Sequence, residues 1–326
     1  MIWKGTIMTQ IEQPTLNVIN NDCIETMKSM PPNIVKVCVT SPPYNIGKKY
    51  DKYKDTNPDY FLWLGEVFKE LSRVIRDDGH FFLNIGWTTK SFDIPYMVLD
   101  EARKHFSLQN NIIWVKHIKI NNNTHGQYRP STSDYHLSNT WEHVFHLTKN
   151  KTVIDSTNFV GEYEIGLWNS EEDKTKLHAY RARRRISKNM GFTTLNEAEK
   201  SEIFKQKVAE YLEQKPYQHK EQKDEGAVWY IPYEPVSREF NTSDHPAIFP
   251  VALPENCILM ASDEGDLVYD PFSGSFTTGV AAIKTRRSFV GTELSPDYCK
   301  FGTKRLEQAI NQFQSKSNIV QTTTWI

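Results

Sequence analysis

Two short apolar runs, near opposite ends of the chain, each stop abruptly at a turn rich in proline, serine or glycine. Ile34-Val-Lys-Val-Cys-Val39 runs into Thr40-Ser41-Pro42-Pro43-Tyr44, and Leu267-Val-Tyr269 runs into Asp270-Pro-Phe-Ser-Gly-Ser275. β-Branched runs of this length read as buried strands, and proline or glycine at their ends marks a loop. Strands that are apolar on both faces belong in sheets covered by helices on both sides. Loops at the carboxyl ends of such strands are where open α/β sheets place ligands.

The remaining punctuation agrees with that architecture. Asn21-Asp22-Cys23 precedes a helix expected over Ile24–Met30, closed by Pro31-Pro32. Tyr60–Ile75 carries Phe61, Leu64, Val67, Phe68, Leu71 and Val74 at helical spacing and ends at Asp77-Asp78-Gly79. A strand over 80–85, a helix over 94–106 and strands over 108–115 and 141–147 follow, with a long polar loop over 117–140. Toward the end come a helix over 277–284, a strand over 288–291 and a helix over 298–313. Strands alternating with helices point to an α/β sheet rather than a sandwich.

At 326 residues the chain exceeds what one modest core needs, and the composition changes where the excess lies. Lys174–Lys188 holds seven Lys or Arg and no acid. A helix over 197–213 with Ile203, Phe204, Val208 and Leu212 on one side follows, then a charged stretch. Residues 15–149 and 236–313 read as two halves of one sheet domain, 150–235 as an inserted lobe, and 314–326 as a polar tail. The net charge of −1 does not advertise a nucleic-acid binder, although binding depends on a local patch rather than the total. Cys23, Cys38, Cys257 and Cys299 have no paired spacing, which suits a reducing cytoplasm and argues against a disulfide scaffold or zinc site. Neither a signal peptide nor a membrane-spanning run is recognisable.

The turn after Leu267–Tyr269 has the makings of a cofactor pocket. Gly274 between Ser273 and Ser275 lets backbone approach a ligand closely. A helix starting near Thr277 offers unpaired N–H groups and a positive dipole end, which suit the carboxylate of an amino-acid moiety. Glu293, after the next strand, is placed to accept hydrogen bonds from both hydroxyls of a ribose. The triphosphate-binding lysine loop is absent, and so is the three-glycine dinucleotide spacing. No Gly-x-Ser-x-Gly surrounds Ser41, which argues against a serine hydrolase.

Taken together, these motifs resemble those of the beta-class DNA amino-methyltransferases, which use S-adenosylmethionine. Asp270-Pro-Phe-Ser-Gly-Ser-Phe-Thr-Thr-Gly279 resembles their cofactor motif, and Val290-Gly-Thr-Glu-Leu-Ser-Pro-Asp-Tyr298 their ribose-binding segment. Asn21-Asp22-Cys23 resembles the segment beside the adenine, Trp141-Glu142-His143-Val-Phe145 the lining of the base pocket, and His245-Pro-Ala-Ile-Phe-Pro250 the stretch before the cofactor strand. The resemblance spans residues 15–147 and 240–312. It implies a Rossmann-like, mostly parallel, seven-stranded methyltransferase sheet with an inserted target-recognition lobe, and both loops meeting at one sheet edge. S-adenosylmethionine would then be held by Asp22, Cys23, Asp270, Phe272, Gly274, Ser275, Thr277 and Glu293. The family often has glycine where this chain has Phe276, so either φ is negative there or the helix starts differently.

The catalytic residues implied are Ser41, Pro42, Pro43 and Tyr44. An exocyclic amine is a poor nucleophile because its lone pair conjugates with the ring. Ser41 Oγ and the Pro42 carbonyl can each accept one of its N–H bonds, drawing the nitrogen toward tetrahedral geometry. Pro43 fixes the approach and Tyr44 can stack on a base flipped out of the duplex. No metal is needed. Ser-Pro-Pro-Tyr is associated in the family mostly with cytosine N4, and adenine N6 is the alternative. Lys116, Lys119 and Arg129, beside the catalytic edge, and Arg181, Arg183, Arg184 and Arg185, in the lobe, are candidates for phosphate or guanine contacts. The implied setting is sequence-specific modification of double-stranded DNA in a prokaryotic cytoplasm, near the nucleoid. A separately acting cognate restriction endonuclease would be the partner, and the enzyme a monomer or homodimer. A catalytically silent DNA-binding paralogue, or an enzyme acting on RNA or a protein amide, are the rival readings.

Overall fold

The computed structural model describes residues 14–45, 47, 55–88, 91–116, 118–120, 123–125, 135–137, 139–150, 152, 154, 179, 182–183, 186–187, 189–192, 195–214, 226–232 and 249–314. They fall into two compact units, Met1–Phe159 with Gly226–Ile326, and Val160–Glu225.

In the first unit, ten strands are described: β1 (Leu16–Asn20), β2 (Val35–Thr40), β3 (Ile75–Ile85), β4 (Ser107–Val115), β5 (Ile118–Ile120), β6 (Asn123–His125), β7 (Trp141–Thr148), β8 (Val228–Tyr230), β9 (Leu267–Asp270) and β10 (Ser288–Glu293). Eight form one sheet in the order β1-β10-β9-β2-β3-β7-β4-β8. Only β7 runs against its neighbours; every other pairing in the sheet is parallel. The expected strand count was seven. The eighth is β8, whose residues the sequence reading assigned to the lobe. Val228–Tyr230 instead pairs with Ile113–Val115, Trp229 is buried, and Trp114 Nε1 donates to the Ile231 carbonyl at 2.7 Å. A three-residue strand is too short to show a period in sequence. β5 and β6 form a separate antiparallel pair within the stretch expected to be loop.

Helices α1 (Cys23–Ser29), α2 (Tyr60–Val74) and α3 (Ile94–Ala102) contribute to a core with Val35, Cys38, Phe81, Leu83, Phe145 and Leu147 of the sheet. Helices on the other face pack with Val37, Val39, Phe82, Val144 and Val268. That β2 feeds both cores explains why its run is apolar apart from Lys36, which reaches out to Asp78, and a register irregularity between Val35 and Val37 shifts its alternation. α1 is capped by Asp22, whose Oδ1 accepts from Ile24 N at 2.8 Å and Glu25 N at 3.2 Å. α3 stops at Ala102, short of the expected Phe106, which lies in the core at 5% exposure just before β4. β3 begins at Ile75, so Asp77-Asp78-Gly79, expected as a helix-ending turn, lies within a strand.

The second unit contains α4 (Leu195–Ala198) and α5 (Glu202–Gln214) around Ala198, Phe204 and Val208, where one helix over 197–213 was expected. The break is at Ser201, whose hydroxyl accepts from Phe204 N at 3.3 Å and caps the second helix. Ile203, expected on the apolar face, is 63% exposed.

The first unit closes with α6 (Ala252–Ala261), α7 (Thr277–Lys284) and α8 (Pro296–Gln314). Phe276, immediately before α7, sits at φ 59°, ψ 33° in the left-handed region. Neither alternative raised from the sequence holds: φ is positive and α7 still starts at Thr277. A left-handed non-glycine residue costs about 1–2 kcal/mol, and here burial of the ring offsets it. Phe276 is fully buried, edge-on to Phe289 with ring centroids 6.3 Å apart. Its ring lies against Gly302 of α8, where an added Cβ would sit 1.9 Å from Phe276 Cδ2. Glycine at 302 is what admits phenylalanine at 276. Among the described residues no helix is long and apolar enough to cross a membrane.

Candidate active site

β2 and β9 lie side by side, with Val37 opposite Val268 and Cys38 opposite Tyr269, so their carboxyl ends deliver the two motifs to one place. From β9 the chain continues to β10 on one side, and from β2 to β3 on the other. This is the switch point at which α/β sheets open a crevice. Thr40 Oγ1 donates to Asp270 Oδ1 at 2.6 Å, tying the first motif to the second. Thr278 Oγ1 donates to Asp270 Oδ2 at 2.8 Å, and Phe272 N to Oδ1 at 3.1 Å. Asp270 is 2% exposed, and burial pushes its carboxyl up to about 6 against those three hydrogen bonds, with Glu293 adding a smaller upward push. Its carboxylate is thus committed inside the protein. Asp270, expected as a cofactor contact, is better described as the post that holds both loops.

The turn itself is stapled to β10. Gly274 has φ 49° and its N–H donates to Glu293 Oε2 at 2.8 Å, while Ser295 N donates to Oε1 at 2.9 Å. The half-buried Glu293 carboxylate is thus fixed at the turn by two backbone N–H groups, an acceptor of the kind a ribose diol requires. Asn20 Nδ2 donates to the Glu293 carbonyl at 2.9 Å, which brings the Asn20–Cys23 segment alongside. Asp22 uses Oδ1 to cap α1. Cys23 is 5% exposed and burial, foremost, pushes its thiol far up, so it offers apolar surface rather than a reactive group. Half-buried Phe272 packs on Trp63 at 5.5 Å. This donor and acceptor set fits a nucleoside bearing an amino-acid tail.

Ser275 and Thr277 behave differently from expectation. Both are nearly buried, and their hydroxyls meet each other at 3.1 Å and Arg305 Nη1 at 3.2 and 2.7 Å. Arg305 also donates to the Ser275 carbonyl at 2.9 Å. Burial lowers its guanidinium to about 10, still charged at neutral pH. Nothing in the sequence singles out Arg305; one basic residue beside the apolar stripe of Cys299, Leu306, Ala309 and Ile310 is its only trace.

In the catalytic half, Ser41–Tyr44 is an extended segment pinned from below. Tyr60 of α2 donates its hydroxyl to the Pro43 carbonyl at 2.6 Å, and Asn45 N, in the left-handed region, donates to Asp55 Oδ1 at 2.7 Å. Pro42 is buried, Ser41 and Pro43 are half-buried, and Tyr44 is 9% exposed. Ser41 Oγ donates to Tyr44 Oη at 3.1 Å, and Tyr44 Oη to Glu142 Oε2 at 3.3 Å. Glu142 Oε1 takes Lys116 Nζ at 2.6 Å. Lys116, expected to meet phosphate, is instead an internal counter-ion with a side chain only 15% exposed.

The other expected DNA contacts are less defined. Lys119 lies in β5, and its side chain is outside the described residues, as are Arg129, Arg181, Arg184, Arg185 and the His245-Pro246 segment. Arg183, in the second unit, is half-exposed and pairs with Glu199 at 3.4 Å. Among the described residues there is no cluster of three or more His, Cys, Asp or Glu able to hold a metal ion.

This geometry can be set beside known proteins. A family model described as DNA methylase matches residues 35–304. The Escherichia coli protein named DNA adenine methyltransferase YhdJ is 27% identical over 94% of this chain and 87% of its own length. The type II methyltransferase M.ScaI of Streptomyces caespitosus is 26% identical over 88% and 80%. Among solved structures, a Thermus thermophilus protein complexed with S-adenosyl-L-methionine superposes with a TM-score of 0.54, at 20% identity over 96% of this chain and 98% of that one. The PvuII DNA methyltransferase, described as cytosine-N4-specific, gives 0.56 at 17% identity over 94% and 96%. Both carry the same mostly parallel α/β sheet.

Proposed function

The chain belongs to the DNA methylase family, and from that premise we propose that it methylates the exocyclic amine of a base in double-stranded DNA. The observation that carries this reading is the Thr40–Asp270 hydrogen bond, which joins an amine-accepting loop to a nucleoside-accepting turn. S-adenosylmethionine is the cofactor, and when bound it supplies an activated methyl group on a cationic sulfur. The chain supplies position. Glu293 takes the ribose hydroxyls, with the Gly274 turn, Phe272, Asp22 and Cys23 around the remainder. Ser41 Oγ and the Pro42 carbonyl accept the two N–H bonds of the amine, Pro43 is held by Tyr60, and the ring of Tyr44 stacks on a flipped base. Orientation and fixed dipoles of this kind supply most of the acceleration when no covalent adduct or metal is used.

Two amines suit the pocket. Adenine N6 is favoured by the Escherichia coli relative, which is named for adenine and matches nearly the whole chain. Cytosine N4 is favoured by serine at position 41, through the resemblance of Ser-Pro-Pro-Tyr to the cytosine-directed members, and the cytosine-N4-specific PvuII enzyme shares the fold. The reading extends to the second unit, Val160–Glu225, as the part that recognises sequence, with Arg181, Arg183, Arg184 and Arg185, together with Lys119 and Arg129, on phosphates or guanines. A cognate endonuclease, a prokaryotic cytoplasmic setting and a monomer or homodimer belong to the same proposal.

Incubation with unmodified genomic DNA and labelled S-adenosylmethionine, then digestion to nucleosides and mass spectrometry, tests it. N6-methyladenine or N4-methylcytosine supports the activity and names the base. Labelled cofactor bound without any methylated nucleoside points to a silent binder and overturns it.

A further inference from the structure

Glu142 is not among the residues assigned a catalytic part, yet three groups of the catalytic edge converge on it. It lies at the start of β7, paired across the sheet with Trp114. Its two oxygens are divided: Oε1 takes Lys116 Nζ at 2.6 Å, while Oε2 takes Tyr44 Oη at 3.3 Å and Asn84 Nδ2 at 3.1 Å. Asn84 is buried and its amide also donates to the His143 carbonyl at 3.1 Å, which fixes the amide's orientation. Beneath the carboxylate, Gly86 leaves room that a Cβ would fill, since that atom would lie 2.7 Å from Glu142 Oε1. The Glu142 side chain is 13% exposed.

An ionised carboxylate accepts hydrogen bonds and donates none. Glu142, paired with Lys116, stands as the acceptor here, and the Tyr44 hydroxyl hydrogen points at Oε2. The Tyr44 oxygen then faces Ser41 as an acceptor, so the Ser41 hydrogen points at Tyr44. Ser41 Oγ is left to present lone pairs, the polarity that an incoming N–H requires. We infer that the Lys116–Glu142–Tyr44–Ser41 chain is a directional relay that fixes Ser41 as a hydrogen-bond acceptor, with Glu142 as its positioning residue. Tyr44 thereby has a second use beyond its ring. The 3.1 and 3.3 Å lengths exceed the roughly 2.7–2.8 Å of a tight hydroxyl bond, a looseness common where catalytic bonds tighten only around a substrate.

The inference rests on the amine-methylation reading, and a double-mutant cycle tests it. Single-turnover methyl transfer to duplex DNA at saturating S-adenosylmethionine is compared for the wild type, Tyr44→Phe, Glu142→Gln and the double variant. Cofactor affinity is measured in parallel by calorimetry. Each single change should slow transfer on the order of tenfold to a hundredfold, with cofactor affinity held within about twofold. The double variant should be no slower than the slower single, because residues acting as one unit are non-additive. Losses that multiply, or a Glu142→Gln enzyme as fast as wild type, overturn the relay. Glu142→Gln leaves Lys116 uncompensated, so if it does not fold, Lys116→Met with Glu142→Gln removes both charges and takes its place in the cycle. A failed activity reading looks different: the wild type itself transfers nothing. The relay is then decided on protein labelled at tyrosine Cζ, whose Tyr44 carbon resonance is assigned by its loss in Tyr44→Phe. That resonance should move on Glu142→Gln, and an unmoved one overturns the inference.

Discussion

The cofactor half and the catalytic half of the site stand on adjacent strands but are held in different ways. Around Asp270 and Glu293 the bonds are 2.6–3.1 Å long, most of them to backbone or to buried hydroxyls, and the post itself is 2% exposed. Around Ser41 the backbone is pinned just as firmly, through Tyr60 to Pro43, but the side-chain hydroxyls are linked at 3.1 and 3.3 Å. The difference teaches a division of labour. One half is tightly bonded within the fold; the other has a fixed backbone and more loosely linked side-chain hydroxyls. Damage to the first half should therefore appear in stability and cofactor affinity, and damage to the second in rate.

The sharpest way to break that division is Glu293→Ala, which removes the proposed acceptor for the ribose and releases the Gly274 turn. It should cost about 2–4 kcal/mol of cofactor binding, read by calorimetry; unchanged affinity would mean that Glu293 is only a staple. Asp270→Ala should destabilise the whole first unit by about 2–3 kcal/mol, since Thr40, Thr278 and Phe272 N lose a shared buried acceptor. Chemical denaturation checks it, and a variant as stable as wild type would deny the post its role. Gly302→Ala drives a methyl into the Phe276 ring and should cost about 1–3 kcal/mol. Cofactor affinity should fall with it, because α7 and the Gly274 turn hang from the same residue.

The smallest effect concerns pH. His80 Nδ1 and His146 Nε2 lie 2.9 Å apart in the sheet, and burial, above all, holds both rings well below the ordinary histidine range. The unfolded chain therefore binds protons there before the folded one does. Their contribution is complete above about pH 6.5 and is lost as pH falls toward the folded values. Asp270 acts in the opposite sense: its carboxyl is raised to about 6, so stability from it declines as pH climbs from about 4 to about 6. Two histidines outweigh one carboxylate, and acidification from pH 6.5 to 4.5 should lower stability by about 1–2 kcal/mol. His146→Gln should flatten that slope in thermal melts at several pH values.

What sequence could and could not disclose follows the range of the interactions. The apolar runs of β2 and β9, the amphipathic α2 and the two motifs are local patterns, and they stand where pattern places them. Phe276 at positive φ depends on Gly302, and β8 depends on β4, each a partner distant in the chain. The same holds for Lys116. Read alone it is a basic residue at a strand's end and suggests phosphate; only the antiparallel pairing of β4 with β7 brings Glu142 to it. Ser275 and Thr277 read as ligands through their place in the cofactor motif, whereas their hydroxyls meet Arg305 from the last helix.

The central claim, that one half receives the cofactor while the other conducts the chemistry, is tested most directly by Ser41→Ala. Cofactor affinity and the single-turnover rate of methyl transfer to duplex DNA would be measured on the same preparation. The account predicts a rate loss of about a hundredfold or more, as when one preorganised polar contact to the reacting group is removed, with cofactor affinity and thermal stability unchanged. A Ser41→Ala enzyme that transfers methyl at the wild-type rate, or one whose loss lies wholly in cofactor binding, would contradict it.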